Sequence, residues 1–156
     1  KPGEMPNQIR MIRSIPGIQG SAFYSAKHFN RDLFGFQDSL LSNLYRKPAI
    51  VPPMTWIDNT PPPPVKRIWK LGTKVKWKTK KVERSMDKPN LFVIYGNEAG
   101  TEFDPNNDKY YWGVVKENEL KFAKFNEKRK KYEIRIAVLD RLNNESPVSK
   151  PVKLKL

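Results

Sequence analysis

The sequence contains no cysteine and only one histidine, His28. Without cysteine the chain can form neither disulfides nor cysteine-ligated metal sites, and a single histidine excludes a multi-histidine metal site within one chain. We therefore expect no metal ion and no cofactor. The lack of cysteine leaves the cellular compartment open, because many exported bacterial proteins also lack it.

Long hydrophobic runs are also missing. No stretch approaches the ~20 apolar residues of a membrane-spanning helix, and Lys1 does not open the charged-then-apolar pattern of a signal peptide. The sequence therefore predicts neither a span nor a leader within these residues. The 156 residues are 38% hydrophobic and 12% aromatic. They suit one ordinary domain, or a domain of ~100 residues with a shorter appendage.

The net charge of +14 raises the question of nucleic-acid binding, because a basic patch is the usual mark of phosphate recognition. Residues 1–58 hold only 7 of the 30 lysines and arginines and 4 of the 16 acidic residues. In the remaining chain basic residues alternate with apolar ones, as in residues 74–78 (KVKWK), which is typical of a solvated strand face. A basic nucleic-acid-binding β module is therefore the alternative function, and the alternation disfavours it.

The sequence pattern of the first part of the chain predicts a helix, a strand and a second helix. Residues 5–14 predict a short helix behind Pro6. Residues 18–25 are uncharged and rich in small residues, as in a strand buried on both faces. Apolar residues at three- and four-residue spacing then predict an amphipathic helix that ends before Pro48, and these are Phe36, Leu40, Leu41 and Leu44.

Such a strand needs neighbours on both edges. We therefore expect residues 1–60 to be the truncated end of an α/β domain. Its uncovered apolar surface would fold back on the rest of the chain or pair with the same segment of a second chain, which makes a homodimer a candidate assembly.

The remaining chain, residues 61–156, is predicted to be β. Four consecutive prolines at 61–64 indicate a linker, and the β part is expected to fold on its own from about residue 62. Seven runs with a period of two follow, separated by turn-forming residues, and they predict a β-sandwich. The predicted strands are residues 65–71, 74–80, 90–96, 110–115, 120–125, 131–139 and 151–156. The fold class is therefore mainly β, preceded by the truncated helix–strand–helix segment.

Residues 62–156 resemble a fibronectin type III domain. Trp77, Tyr95 and Tyr132 lie on the second, third and sixth predicted strands, where that family places core aromatic residues. The stretch 132–146 (YEIRIAVLDRLNNES) is similar to the strand ending common in bacterial members. The resemblance implies a fibronectin type III-like β-sandwich that binds or spaces rather than catalyses.

The first part resembles a different family. Residues 20–27 (GSAFYSAK) and 45–58 (YRKPAIVPPMTWID) are similar to the barrel end of bacterial proteins called glycosyl-hydrolase-like family 10. The resemblance implies that residues 18–25 are the eighth strand of a (β/α)8 barrel and residues 34–45 its eighth helix. It also implies that the rest of the parent barrel is a partner. The parent would be secreted or held at the bacterial cell envelope, in the periplasm or on the outer-membrane surface, often as a lipoprotein.

No catalytic residue is assigned. Glycoside hydrolysis needs two carboxyl groups about 5 to 9.5 Å apart. The acids of the first part lie outside the predicted buried strand from which a barrel would project its catalytic groups. These acids are Glu4, Asp32, Asp38 and Asp58. If the family hydrolyses glycosides, the catalytic pair is expected upstream.

Two sets of residues are candidate sugar contacts. Barrel active sites lie at the carboxyl ends of the strands, which would place four residues at a sugar pocket: Ser25, Lys27, His28 and Asn30. The simpler interpretation is a loop before a helix capped by Asn30 or Asp32. In the β part, flat aromatic rings suit sugar stacking, and consecutive residues face opposite sides of a strand, so at least one of three is expected to be exposed. These three are Tyr110, Tyr111 and Trp112.

The function predicted from the sequence is that of a C-terminal accessory domain of a secreted glycoside hydrolase. It would space the catalytic barrel, pack on it or weakly contact polysaccharide, with no complete active site in these residues. An enzyme in its own right would require a site that the sequence does not display.

Overall fold

The computed structural model describes residues 3–18, 20–25, 27–31, 35–122 and 131–155. The chain forms two compact units, Lys1–Ala49 and Ile50–Leu156. The first unit holds short helices, and the second holds two antiparallel sheets. This arrangement confirms the predicted mainly β, sandwich-like fold with a short helical segment before it. Within the described ranges, no helix has the length and apolar character needed to cross a membrane.

The described residues of the first unit include three short α-helices, and the last continues as a π-helical turn over Leu40–Leu44. They are α1 (Glu4–Arg13), α2 (Lys27–Asn30) and α3 (Phe36–Ser39). The arginine at the end of α1 ties this helix to the π turn, because Arg13 Nη2 donates to the Leu44 carbonyl oxygen at 2.8 Å. Its guanidinium also lies 5.0 Å from the centre of the Tyr45 ring. The predicted helix over residues 5–14 is therefore confirmed.

The strand predicted over residues 18–25 is wrong for the residues that the structure describes there, since none of them is in a strand. Ile18 is 44% exposed and Tyr24 is fully exposed. A strand of this kind needs hydrogen-bonded neighbours, and the described part of this unit contains no strand with which it could pair. The predicted second helix is present from residue 36, while residue 34 lies outside the described residues.

In the described residues of the second unit, seven strands overlap the seven predicted ones. The first sheet has the order β1-β2-β5, with β1 (Arg67–Leu71), β2 (Lys74–Lys78) and β5 (Glu119–Lys121). The second has the order β4-β3-β6-β7, with β3 (Leu91–Glu98), β4 (Tyr111–Val115), β6 (Lys131–Leu139) and β7 (Val152–Lys155). The predicted strand ends at residues 123–125 and 156 lie outside the described residues.

The inner core lies between the two sheets. Along β2, Val75 and Trp77 are buried while the lysines between and around them are not, which is the alternation expected of a strand with one face on a core. The Trp77 ring meets Phe92 edge-on, with ring centres 5.3 Å apart. The larger sheet completes this core with Phe92, Ile94, Ile134, Ile136, Val138 and Leu154.

The outer face of the four-stranded sheet forms a second core. Its buried centre is Val93, Tyr95, Ala137 and Leu139. Residues from outside β3 and β6 pack against it, among them Ile50, Phe103 and Val148. Antiparallel sheets commonly leave one face in water, but here residues 92–97 of β3 are all buried. The larger sheet is therefore covered on both faces.

The segment before β1 belongs to this cover. Met54 N donates to the Leu142 carbonyl oxygen at 2.9 Å, and Asn144 Nδ2 donates to the Asp58 carbonyl oxygen at 3.1 Å. Within the run predicted to be a linker, Pro62 is fully buried. The linker interpretation is therefore wrong, because these residues pack on the β unit.

The turn after β6 is organised by a buried carboxylate. Asp140 is 1% exposed. Its Oδ1 accepts from Leu142 N at 2.8 Å and Asn144 N at 2.9 Å, and its Oδ2 accepts from Asn144 Nδ2 at 3.0 Å. Asn143 between them has a φ of 64°, a conformation that asparagine tolerates better than most residues. The carboxylate is thus satisfied by the turn, as buried charges must be.

Replacing Asp58 by asparagine should lower the melting temperature at pH 7. Hydrogen bonds from Thr60, with the Arg84 guanidinium 2.6 Å away, hold the pKa of Asp58 below its usual value. A depressed pKa in the fold stabilises the protein above the unfolded pKa of about 4, and this contribution is lost as the pH falls through the folded value. The difference between Asp58→Asn and wild type should therefore shrink towards pH 2.

Thermal melts from pH 2 to pH 7 test this, with Glu83→Gln as the control, which removes an exposed carboxylate next to Arg84 in the sequence. A pH-independent difference for Asp58→Asn would contradict the role assigned to the carboxylate.

Candidate functional site: an aromatic and charged sheet face

The four residues predicted to line a sugar pocket lie around α2. Ser25 precedes the helix and is half-buried, while Lys27 and Asn30 are exposed at its two ends. The side chain of His28 lies outside the described part of the structure, as does Asp32, the alternative helix cap. Their role at a sugar pocket stays a prediction.

The side chains that organise this region are aromatic. Phe29 packs against Phe23, with ring centres 5.3 Å apart, and against Phe36 at 5.2 Å. Phe23 and Phe36 are 6.4 Å apart. A cluster of three phenylalanines therefore joins the segment before α2, α2 itself and the start of α3. The sequence pattern singled out only Phe36, as part of the predicted amphipathic helix, because Phe23 and Phe29 do not share its periodicity.

The aromatic triplet lies at the start of β4, where a bulge separates its members. Ile94 pairs with Gly113 but Tyr95 pairs with Tyr111, so Trp112 is an extra residue on β4. Tyr111 joins the outer core and Trp112 the inner one.

Trp112 is fixed from two sides within the inner core. Its ring meets Tyr132 edge-on at 5.6 Å, and a side chain at Gly96 would overlap the indole. Tyr110 packs on Phe103 with ring centres 5.5 Å apart. All three residues of the triplet are half-buried. The expectation that one of them is exposed is wrong, because both faces of the sheet are covered. Their carbohydrate-contacting role stays a prediction.

A connected group of rings covers part of the outer face, and we call Tyr95, Phe103, Tyr110, Tyr111 and Arg135 the aromatic face. Tyr95 lies at its centre, 5.9 Å from Phe103 and 6.5 Å from Tyr111. The Arg135 guanidinium carbon lies 4.2 Å from the centre of the Phe103 ring, within the range of a cation–π contact. Phe103 is thus held between a phenol ring and a cation.

Arg135 is held in place by two hydrogen bonds. Its Nη1 donates to Asn97 Oδ1 at 2.7 Å, and its Nη2 donates to Glu133 Oε2 at 3.1 Å. Asn97 is buried, and its Nδ2 donates to the Thr101 carbonyl oxygen at 3.0 Å. This network connects β3 and β6 to the loop that bears Phe103. The guanidinium is therefore satisfied within the protein.

A phenol and a carboxylate form the other polar pair of this face. Tyr95 Oη donates to Glu145 Oε1 at 2.7 Å. Burial raises the pKa of Tyr95 well above its usual value, and the bond to Glu145 adds to the effect. Burial also raises the pKa of Glu145, while the bond from Tyr95 opposes this shift. Burial raises the pKa of Tyr111 as well.

Both of these carboxylates are engaged by a partner on the aromatic face. Glu145 Oε1 accepts from Tyr95 Oη at 2.7 Å, and Glu133 Oε2 accepts from Arg135 Nη2 at 3.1 Å. The described ranges contain no group of three His, Cys, Asp or Glu side chains that would hold a metal ion.

Sequence reasoning did not assign Phe103, Arg135 or Glu145 to a site. The sequence shows Phe103 only as a lone aromatic residue in a polar loop. It shows Arg135 only as a single charge inside the apolar run of β6.

Replacing Tyr95 by phenylalanine should destabilise the protein by about 1 to 3 kcal/mol at pH 7, because the half-buried Glu145 carboxylate loses its donor. The raised pKa of Glu145 means that the fold favours its protonated form. The penalty should therefore fall as the pH drops through the pKa of this group. Denaturant unfolding at pH 4 and pH 7 measures it.

Tyr110→Phe is the matched control, since it keeps a half-buried ring on the same face, and it should change stability by less than about 0.5 kcal/mol. Equal losses in the two variants at both pH values would show that the Tyr95 hydroxyl plays no such role.

No protein-family model matches the chain. A solved structure described as "Myokine structure" aligns with 62% of this chain and 97% of its own, at a TM-score of 0.39 and 16% identity, and so weak a likeness supports no argument.

A sequence relative is more informative. The chain is 30% identical over 156 residues to "Glycosyl hydrolase YngK" of Bacillus subtilis (strain 168), and the match covers 96% of the chain. The chain spans 29% of that protein's length. The chain is therefore related, over nearly its whole length, to part of a protein named as a glycosyl hydrolase.

Proposed function

We propose that residues 50–156 form an accessory domain of a larger glycoside hydrolase, in the manner of a fibronectin type III domain that follows a (β/α)8 barrel. The domain spaces the catalytic part, packs against it or weakly contacts glycan. The observation that carries the proposal is the 30% identity to a protein named as a glycosyl hydrolase over 96% of this chain.

The state of the carboxylates supports a role without catalysis. A catalytic acid or base must exchange protons with its substrate. Five carboxylates of the β unit are instead engaged by backbone amides, cations or a phenol. They are Asp58, Glu119, Glu133, Asp140 and Glu145.

The first unit supports the presence of a covering partner. It exposes Met11, Ile18 and Leu41, at 62%, 44% and 56% of their surface. Apolar side chains that are exposed together commonly mark a contact surface. We assign this surface to the rest of the parent barrel, with a second copy of the same segment as the alternative. We also propose that the parent protein lies outside the cell or at its envelope, as the sequence resemblance to glycosyl-hydrolase-like family 10 implies.

A nucleic-acid-binding module is the second candidate, and the net charge of +14 favours it. Binding to phosphates would weaken steeply as salt rises.

The 156-residue chain should release no product from a panel of aryl glycosides, because these five carboxylates are held by partners within the protein. In the parent protein, deleting residues 50–156 should leave turnover of aryl glycosides nearly unchanged and reduce action on polysaccharide severalfold. Initial rates on both substrate types measure this. Turnover by the chain itself that Glu145→Gln or Asp38→Asn abolishes would contradict the accessory role.

A further inference from the structure

The three-stranded sheet turns a basic surface to solvent. Pairing of β1 with β2 places Arg67 opposite Lys78 and Trp69 opposite Lys76. Pairing of β2 with β5 places Lys74 opposite Lys121. We call these six residues the basic face.

Strand alternation shows that the basic face points away from the core. Val75 and Trp77 are buried in the inner core, so Lys74, Lys76 and Lys78 must project from the other side of β2. The ends of the long side chains reach water, since the Lys121 side chain is 70% exposed and those of Lys74 and Lys76 about a third.

The cations are closely spaced. Alternate residues of β2 lie roughly 7 Å apart along the strand, and neighbouring strands lie about 4.8 Å apart. Like charges opposite each other destabilise a sheet, so this arrangement has a cost. Glu119 offsets part of it, with Oε1 3.3 Å from Lys74 Nζ and Oε2 3.2 Å from Lys76 Nζ. Five cations and this one carboxylate leave the face strongly positive.

Trp69 supplies a flat apolar surface among the charges. It is half-buried and lies beside Lys76 on the outer side of the sheet. A tryptophan ring offers its face to the apolar side of a sugar ring, as it does to other rings. Lysine acts as a compact point charge towards an anion. A stacking ring with cations on either side therefore matches a sugar chain that carries acidic groups.

We propose that the basic face binds a polysaccharide bearing carboxylate groups, with one sugar stacked on Trp69 and the neighbouring carboxylates paired with lysines of β2 and β5. This inference rests on the proposed function, because the similarity to a glycosyl hydrolase makes glycan the favoured polymer. Nucleic acid fits less well. Proteins that bind single strands stack successive bases on several aromatic residues, whereas this face presents one ring.

Binding of the full chain to polygalacturonate tests the proposal, with dextran as the neutral glycan and oligothymidylate as the nucleic acid, all at low salt. Polygalacturonate should bind most tightly. Lys78→Glu should weaken this binding about fivefold, and Trp69→Ala should also weaken it. The matched control is Lys155→Glu, the same change at an exposed strand position of the other sheet, and it should have little effect.

Glu119→Gln separates the loss of charge contacts from misfolding. It should tighten binding about twofold to fivefold, and a damaged fold would not bind more tightly. Glu83→Gln removes an exposed carboxylate elsewhere and should not tighten it.

Each contrary result has a distinct meaning. Tighter binding of oligothymidylate than of polygalacturonate would overturn the proposal in favour of a nucleic-acid module. Unchanged affinity in both Lys78→Glu and Glu119→Gln would show that the basic face is not the site. Binding of dextran that no charge variant alters would overturn this inference while the accessory role stands. Aryl-glycoside turnover by the chain would overturn the accessory role without touching the basic face.

Discussion

The β unit depends on the antiparallel pairing of β3 with β6, which runs from Leu91 opposite Leu139 to Glu98 opposite Tyr132. Alternate side chains of these two strands supply the inner core and the outer core. Because the outer set also contains apolar side chains, it must be covered. Three segments outside the two strands provide the cover, represented by Ile50, Phe103 and Val148. The need to cover the outer core accounts for the aromatic face and for the attachment of residues 50–62.

The sequence predicted the seven strands because each combines a period of two with turn residues at its ends, and both signals are local. It did not predict the cover. Residues 50–62 show no periodicity, and their key contact joins Asp58 to Asn144, 86 residues away. For residues 18–25 the local signal was present, but the strand predicted from it is absent from the described residues. A short apolar run has the composition of a buried strand whether or not partners are present to pair with it.

The two outer faces of the sandwich differ in how far their polar side chains are paired within the protein. On the aromatic face, Arg135 is bound by Asn97 and Glu133, and Tyr95 by Glu145, so its polar groups satisfy one another. On the basic face, one carboxylate serves several lysines. The alternation in residues 74–78 revealed the lysines, but only the pairing with β1 and β5 places Trp69 and Glu119 among them. This difference is the reason why the basic face is proposed as the binding surface.

The claim that the larger sheet requires cover on both faces is tested most directly by comparing chains of residues 50–156 and 62–156. The longer chain should unfold cooperatively in denaturant. The shorter one should be less stable by roughly 2 to 4 kcal/mol, since it loses the half-buried Ile50 and two backbone-linked hydrogen bonds. Equal stability of the two chains would contradict the account, because it would show that the outer core does not depend on the segment before β1.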